Sequence, residues 1–174
     1  MSRLGSMSAN ALKALFDIES NDTLITLVTF KQNIDIGISS NIYLTDTAVQ
    51  RISETADDVV YGVVSNSINY TYLPLEITLP NDDATSSPKC QLVIHDVTRY
   101  LIPSIRSLTG PPEITLQLVL SSSPNTIEIS YSGFKLTNVV YNANTISGDL
   151  TIPSLEIEPF PAHSFTPAYF PGLF

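Results

Sequence analysis

The most constraining feature of this sequence is a two-residue alternation of apolar and polar side chains in the segment EITLQLVL, residues 113–120. Successive side chains of a β-strand point to opposite faces of its sheet, so this period predicts a strand with one buried face. Turn-forming residues follow at 121–125, and the alternation then resumes through residue 131. The two runs together predict a β-hairpin over residues 113–131.

The same period recurs in shorter segments, which are separated by polar or proline-containing turns. These segments predict strands at 24–30, 34–38, 41–44, 59–64, 73–79 and 90–95, and a second hairpin from 134–141 and 146–152. Tyr70 and Tyr72 lie on the opposite parity from the strand that follows them, so we expect a bend near Leu73 and Pro74. Many short strands with regular turns predict a mainly β domain over residues 1–152, built as an antiparallel β-sandwich or barrel.

Two short helices are predicted beside the strands. Ser8 is a typical N-cap residue for a helix at about 8–19, and Leu12, Leu15 and Phe16 follow at helical spacing. A helix this short is stable only when it docks, so it covers a sheet edge or inserts into a partner, and Leu12 and Phe16 are candidate contact residues. A second helix is predicted over 97–107, capped by Asp96 and kinked or ended at Pro103.

The C-terminal segment, residues 153–174, combines prolines with large apolar side chains. Proline cannot continue a helix or occupy a central strand, so we expect an extended arm. The arm packs either on its own domain or on a neighbouring molecule, and we favour the neighbour because so large an apolar surface promotes association. Large aromatic residues dominate interface energies. The candidate interface residues of the arm are Phe160, Phe165, Tyr169, Phe170, Leu173 and Phe174.

Composition and charge narrow the possible partners. Only 14% of the residues are charged, which suits a surface largely covered by other subunits. The net charge of -9 argues against specific nucleic-acid binding, which requires Lys and Arg to neutralise phosphates. An acidic wall is nevertheless suited to a channel through which DNA passes. No apolar run is long enough for membrane insertion and no signal-peptide pattern is present, so we expect synthesis and assembly inside a cell.

Candidate reactive groups are few, and each has a simpler structural explanation. Cys90 and His95 are five residues apart on a predicted strand and therefore point to opposite faces, which favours Cys90 as a core residue. His163 lies in the arm, and the pairs at 57–58 and 82–83 fit solvated turns better than calcium sites. The sequence has none of the common catalytic or nucleotide-binding motifs. We therefore predict no catalytic residues, metal or cofactor, although a mechanism using only carboxylates stays open.

Two classes of protein remain. The first is a structural subunit of a larger assembly, in which the arm and the N-terminal helix reach neighbouring subunits. The second is a stand-alone β-sandwich binding module, for example for carbohydrate, whose arm folds back on its own sheet. Low charge and an apolar arm favour the structural subunit.

Three segments of the chain resemble a family of small tail-tip proteins of long-tailed bacteriophages. They are SANALKALFDIES followed by LITLVTF, the central YLPLEITLPNDDATSSPKCQLVIHDVTRYLIPSIRSL, and the closing EPFPAHSFTPAYFPGLF. The likeness covers most of the chain. Its most distinctive parts are the strand that ends in LPNDD, the strand and helix that follow it, and the final FPGLF.

This resemblance implies a distal tail or baseplate protein that joins the tail tube to the tip that meets the host. It implies a tail-tube-like sandwich assembled as a ring, usually of six copies and sometimes of three. The implied partners are the tail-tube and tail-tip hub proteins, with the tape-measure protein as a further candidate. The implied location is the virion tail tip, with assembly in the host cytoplasm. The family supplies no catalytic residues to transfer to this chain.

Overall fold

The fold was analysed in a computed structural model that describes residues 7–17, 19–31, 41–55, 58–78, 89–96, 99, 101–106, 110–142, 144–152, 169 and 172. Within these residues the chain is mainly β, with two short helices. The helices are α1 (Ala9–Phe16) and α2 (Ile102–Arg106). The strands are β1 (Leu24–Lys31), β2 (Ile42–Thr45), β3 (Gln50–Glu54), β4 (Val59–Ser65), β5 (Ile68–Tyr72), β6 (Leu75–Thr78), β7 (Lys89–His95), β8 (Glu113–Leu120), β9 (Ser123–Tyr141) and β10 (Thr145–Thr151).

The described strands form one open sheet in the order β3-β4-β5-β2-β1-β8-β9-β10-β7-β6. Neighbouring strands are antiparallel except β2 and β5, which pair in parallel, so the sheet is mixed and the prediction of a purely antiparallel sheet is wrong at this pair. The reason is the direction of the chain. Strands β3, β4 and β5 form an antiparallel meander that begins in the direction of β2, and its third strand therefore returns beside β2 in that same direction.

Two strands at the centre of the sheet, β1 and β8, are buried on both faces. Ile25 and Leu27 belong to one apolar cluster, whereas Val28 and Phe30 belong to another. Because side chains alternate along a strand, the two clusters lie on opposite faces of the sheet. Leu27 and Val28 are neighbours on β1 and therefore point to opposite faces of the sheet, and both are fully buried.

The larger cluster lies on the concave side of a strongly curled sheet. Strands β5 and β6 are third and tenth in the order, about 33 Å apart if the sheet were flat. Only Leu73 and Pro74 join them, a connection that spans about 10 Å at most. The amide of Leu73 donates to the carbonyl of Thr45 (3.1 Å), and the amide of His95 donates to the carbonyl of Pro74 (2.8 Å). The expected bend at Leu73 and Pro74 is confirmed. It brings β6, at one edge of the sheet, close to β5, but the sheet stays open.

The smaller cluster is covered by the β3–β5 meander, which folds back over the other face. The ring of Tyr70 packs edge-on against that of Tyr43, with centroids 5.3 Å apart. At the β4–β5 turn, the hydroxyl of Ser65 donates to the carbonyl of Pro124 (2.7 Å). A flat sheet would separate β4 from β9 by about 24 Å, so this contact requires the meander to bend onto the centre.

The helices are shorter than the sequence predicted. Helix α1 begins after Ser8, as predicted, but ends at Phe16 rather than Glu19. Helix α2 covers only Ile102–Arg106, because Arg99 has a left-handed φ of 60° that interrupts a helix starting at residue 97. The carboxylate of Asp96 accepts the amide of Leu101 (2.7 Å) and so orders the turn before the helix. Pro103 lies in the first turn of α2, where its missing N–H group costs no helical hydrogen bond.

Most strand predictions that fall on described residues are confirmed, with three differences. Strands β3 and β5 were not predicted, because QRISE has no clear apolar alternation and Tyr70 and Tyr72 of β5 were interpreted only as residues before a bend. The second half of the first predicted hairpin and the first half of the second are one strand, β9, which passes through Gly133 at a φ of 81°. The predicted strand at 34–38 lies outside the described residues. Both predicted hairpin pairings, β8 with β9 and β9 with β10, are confirmed.

Gly62 provides a stability test of the close packing within the β3–β5 meander. A Cβ atom at this position would overlap the carbonyl oxygen of Tyr70 and lie 2.7 Å from Cδ1 of Ile52. The Gly62→Ala variant should therefore lose about 1–3 kcal/mol in free energy of unfolding, measured by urea denaturation. Gly110→Ala is the matched control, because nothing lies within 4 Å of its added Cβ, and it should unfold at the wild-type midpoint.

Candidate subunit interface

Helix α1 is fixed to the sheet at its first turn by a buried carboxylate. Glu128 on β9 is only 4% exposed, and its two oxygens accept from the amide (2.7 Å) and the hydroxyl (2.8 Å) of Ser8. The Ser8 hydroxyl also accepts from the amide of Ala11 (3.1 Å), as an N-cap residue does. Ala11 is fully buried. Hydrogen bonds to an ionised group are stronger than neutral ones, so this end of the helix is held firmly.

The opposite end of α1 presents apolar side chains to solvent. Leu12 is half-buried, but Leu15 is exposed and the Phe16 ring is 74% exposed. The helix therefore docks through Ser8 and Ala11 and leaves the far part of its predicted apolar stripe uncovered. Leu15 and Phe16 together form an exposed apolar patch at the end of the helix opposite its anchored first turn.

Of the predicted arm residues, the structure describes only Tyr169, which is 61% exposed. The other five, Phe160, Phe165, Phe170, Leu173 and Phe174, lie outside the described residues. The other two predicted contact residues, Leu12 and Phe16, both lie on helix α1, and Leu15 is exposed beside Phe16. Leu15 was predicted to be in the apolar stripe, and its exposure follows from how the first turn of α1 docks.

Both edges of the open sheet carry polar groups that limit uncontrolled pairing. On edge strand β3, Arg51 and Glu54 form an exposed ion pair at 2.7 Å. On edge strand β6, Glu76 lies 3.5 Å from Nε2 of His95 on β7. Exposed ion pairs contribute little stability, but charges on an edge oppose non-specific strand addition. Next to β3, the exposed side chains of Val59 and Tyr61 form a second apolar surface that the sequence analysis did not identify.

The described residues hold no cluster of three or more His, Cys, Asp or Glu side chains arranged to bind a metal ion. Cys90 is buried in the larger cluster, as predicted for a core residue, and His95 on the same strand is partly exposed. Asp58 is exposed, whereas Asp57, Asp82, Asp83 and His163 lie outside the described residues.

Burial makes Cys90 a reporter of unfolding. Desolvation raises the pKa of its thiol from 9.0 to about 11, and the thiolate is the reactive form. At pH 8 the folded protein should therefore contain about 100-fold less thiolate than the unfolded chain. We expect a disulfide reagent such as DTNB to label the native protein at least 100-fold more slowly than the urea-unfolded protein. Fast labelling of the native protein would contradict the buried position.

The chain was also compared with known proteins. No protein-family model matches it, and no curated protein matches it. Among the residues that the structure describes, no helix combines the length and the apolar character needed to cross a membrane.

Proposed function

We propose that this protein is a structural virion protein of a bacteriophage tail tip. It forms a distal-tail or baseplate ring that joins the tail tube to the host-contacting tip and lets DNA pass. The observation that carries the proposal is the rigidly anchored helix α1, which presents Leu15 and Phe16 to solvent. The resemblance to small tail-tip proteins supports the same conclusion from the sequence.

The fold supports a tail-tube-like sandwich in this proposal. The sheet is strongly curled and has apolar clusters on both faces of its central strands. Among the described strands, β3 and β6 form the two edges of the sheet, and their main-chain groups can pair between neighbouring copies once the edge charges are satisfied. A head-to-tail contact of this kind closes into a ring when its rotation matches the ring symmetry.

The net negative charge of the chain supports a ring through which DNA passes rather than a site that binds DNA. A chain with 17 acidic and 8 basic residues repels a polyanion, so the lumen of the ring would not retain the DNA. The ring is expected to contain six copies, with three as the alternative. Its neighbours would be the tail-tube and tail-tip hub proteins, and the tape-measure protein is a further candidate. Assembly would occur in the host cytoplasm and the mature location would be the virion.

Light scattering coupled to size-exclusion chromatography tests this function directly. Six copies of the 19.0-kDa chain should give a particle of about 114 kDa, and three copies about 57 kDa. Negative-stain images of the same fraction should show rings with a central opening. A monomer at all concentrations, with no ring in intact phage tails, would reject the proposal in favour of the stand-alone binding module.

A further inference from the structure

A cavity of about 450 Å³ lies where helix α2 meets the end of the β9–β10 hairpin. Its described lining residues are Arg99, Ile102, Pro103, Arg106, Tyr141 and Asn142. Two of the four arginines of the chain thus face one cavity, and its described lining includes no acidic residue. The cavity combines positive charge with an apolar and aromatic wall.

Neither guanidinium has a carboxylate partner within the part of the chain that the structure describes. The guanidinium carbon of Arg106 lies 5.9 Å from the centroid of the Tyr141 ring, a cation–π contact that holds the side chain at the cavity. Arg99 is positioned by its left-handed backbone and by its amide, which donates to the carbonyl of Asp96 (3.2 Å). Arginine is well suited to bind carboxylates through paired hydrogen bonds.

The complementary charge occurs elsewhere in the same chain. Residues 97–112 contain Arg99 and Arg106 but no acidic residue, whereas residues 136–174 contain no Lys or Arg at all. In the arm, the segment EIEPF places Glu156 and Glu158 two residues apart and follows them with Pro159 and Phe160. In an extended chain, residues two apart lie on the same side, so both carboxylates can face one surface. Each copy carries a net charge of -9, so a local attraction of this kind would offset part of the repulsion between copies.

We propose that this cavity binds the segment Glu156–Phe160 of a neighbouring copy. The two glutamates bind Arg99 and Arg106, and the proline and phenylalanine pack against Ile102, Pro103 and Tyr141. This inference rests on the proposed ring, and it identifies where the acidic start of the arm attaches. It adds an electrostatic contact to the apolar contacts predicted for the rest of the arm.

Chain geometry favours a neighbour over the same molecule. Asn142 lies at the cavity and its amide donates to the carbonyl of Thr145 (2.8 Å), so β10 begins beside the cavity. The strand then runs away and ends at Thr151, about 20 Å distant. Glu156 is only five residues further, a reach of about 18 Å when fully extended. Glu156 could return to the cavity of its own chain only if the five residues after Thr151 doubled straight back at full extension.

A designed disulfide tests both the location and the choice of copy. We expect the full-length Asn142→Cys/Phe160→Cys variant, which places the second cysteine on the same side of the extended segment as Glu156 and Glu158, to form covalent dimers and larger species on a non-reducing gel after mild oxidation. Buried Cys90 should not interfere. The control Ser122→Cys/Phe160→Cys places the first cysteine on the exposed β8–β9 turn, at the other end of β9, and should give at least tenfold less cross-linked product. Equal yields in the two variants would overturn the proposal.

The remaining outcomes separate this inference from the proposed function. An intramolecular disulfide, seen as a monomer with altered mobility, overturns the exchange between copies. Rings that form without a cross-link at Asn142 overturn the arm site and leave the ring intact. Monomers in light scattering that also fail to cross-link overturn both.

Exchange of the charges provides an independent test. In the disulfide background, Arg99→Glu with Arg106→Glu should lower cross-linking at least tenfold, and adding Glu156→Arg with Glu158→Arg should restore it. Failure of the second pair to restore the product would overturn the charge pairing. Inorganic phosphate that binds the cavity with no effect of the arm substitutions would identify a small-anion site instead and reject the arm as its occupant.

Discussion

A chain that lacks residues 159–174 is expected to be a monomer of about 17 kDa under conditions in which the full-length chain forms rings. The deletion removes four phenylalanines, a tyrosine and a leucine, which are the residue types that dominate interface energies. Loss of several such contacts per subunit should weaken assembly by orders of magnitude. Light scattering of both chains over the same concentration series provides the measurement.

The matched control for this truncation keeps the length and the prolines of the arm. In it, Phe160, Phe165, Tyr169, Phe170, Leu173 and Phe174 are all replaced by serine. It should assemble as poorly as the truncated chain, because the apolar side chains rather than the length carry the contact. The unfolding midpoint of the body should stay within 2 °C of the midpoint of the full-length monomer, an interval chosen as roughly the effect of 0.5 kcal/mol or less. Intact rings, or a large loss of monomer stability, would indicate that the arm packs on its own domain.

Replacing Phe134 by alanine should cost about 3–5 kcal/mol in free energy of unfolding. The Phe134 side chain is 0% exposed and lies in the larger apolar cluster on the concave side of the sheet. Its removal loses the transfer free energy of the ring and leaves a cavity that the curled sheet cannot easily collapse. Urea or thermal denaturation of the monomer measures the loss, which is a large part of the stability of an ordinary domain.

Phe16→Ala is the same chemical change at the surface and separates folding from assembly. Since the Phe16 ring is 74% exposed, the monomer should lose no more than about 0.5 kcal/mol. The variant should nevertheless assemble more weakly, because the ring is part of the proposed contact. If Phe16→Ala destabilised the monomer as much as Phe134→Ala does, the separation of core and contact surface would be wrong.

In the proposed ring, one chain has to meet two opposing requirements. Copies with a net charge of -9 repel one another, yet a ring requires them to bind. The apolar end of α1 and the arm can supply attraction without charge, and the arginine-lined cavity can supply it where charge is concentrated. The remaining acidic surface is then free to keep DNA from adhering to the ring.

The candidate contact residues could be predicted only in part. Leu12 and Phe16 follow from helical spacing, but the sequence did not reveal which of them the sheet covers. That depends on Glu128, which is more than a hundred residues away and binds the first turn of α1. The charge segregation between residues 97–112 and 136–174 is visible in the sequence, yet Arg99 and Arg106 come to line one cavity only because the β9–β10 hairpin lies beside α2.

The sequence by itself determined the mainly β character, both hairpin pairings, the N-cap at Ser8 and the bend at Leu73 and Pro74. These features depend on side-chain alternation and local backbone chemistry, which act over a few residues. Only the tertiary structure decided the strand order, the parallel pairing of β2 with β5, and the two-sided burial of β1. Those features depend on contacts between residues far apart in the chain, and alternation specifies that a face is buried without specifying which strand covers it.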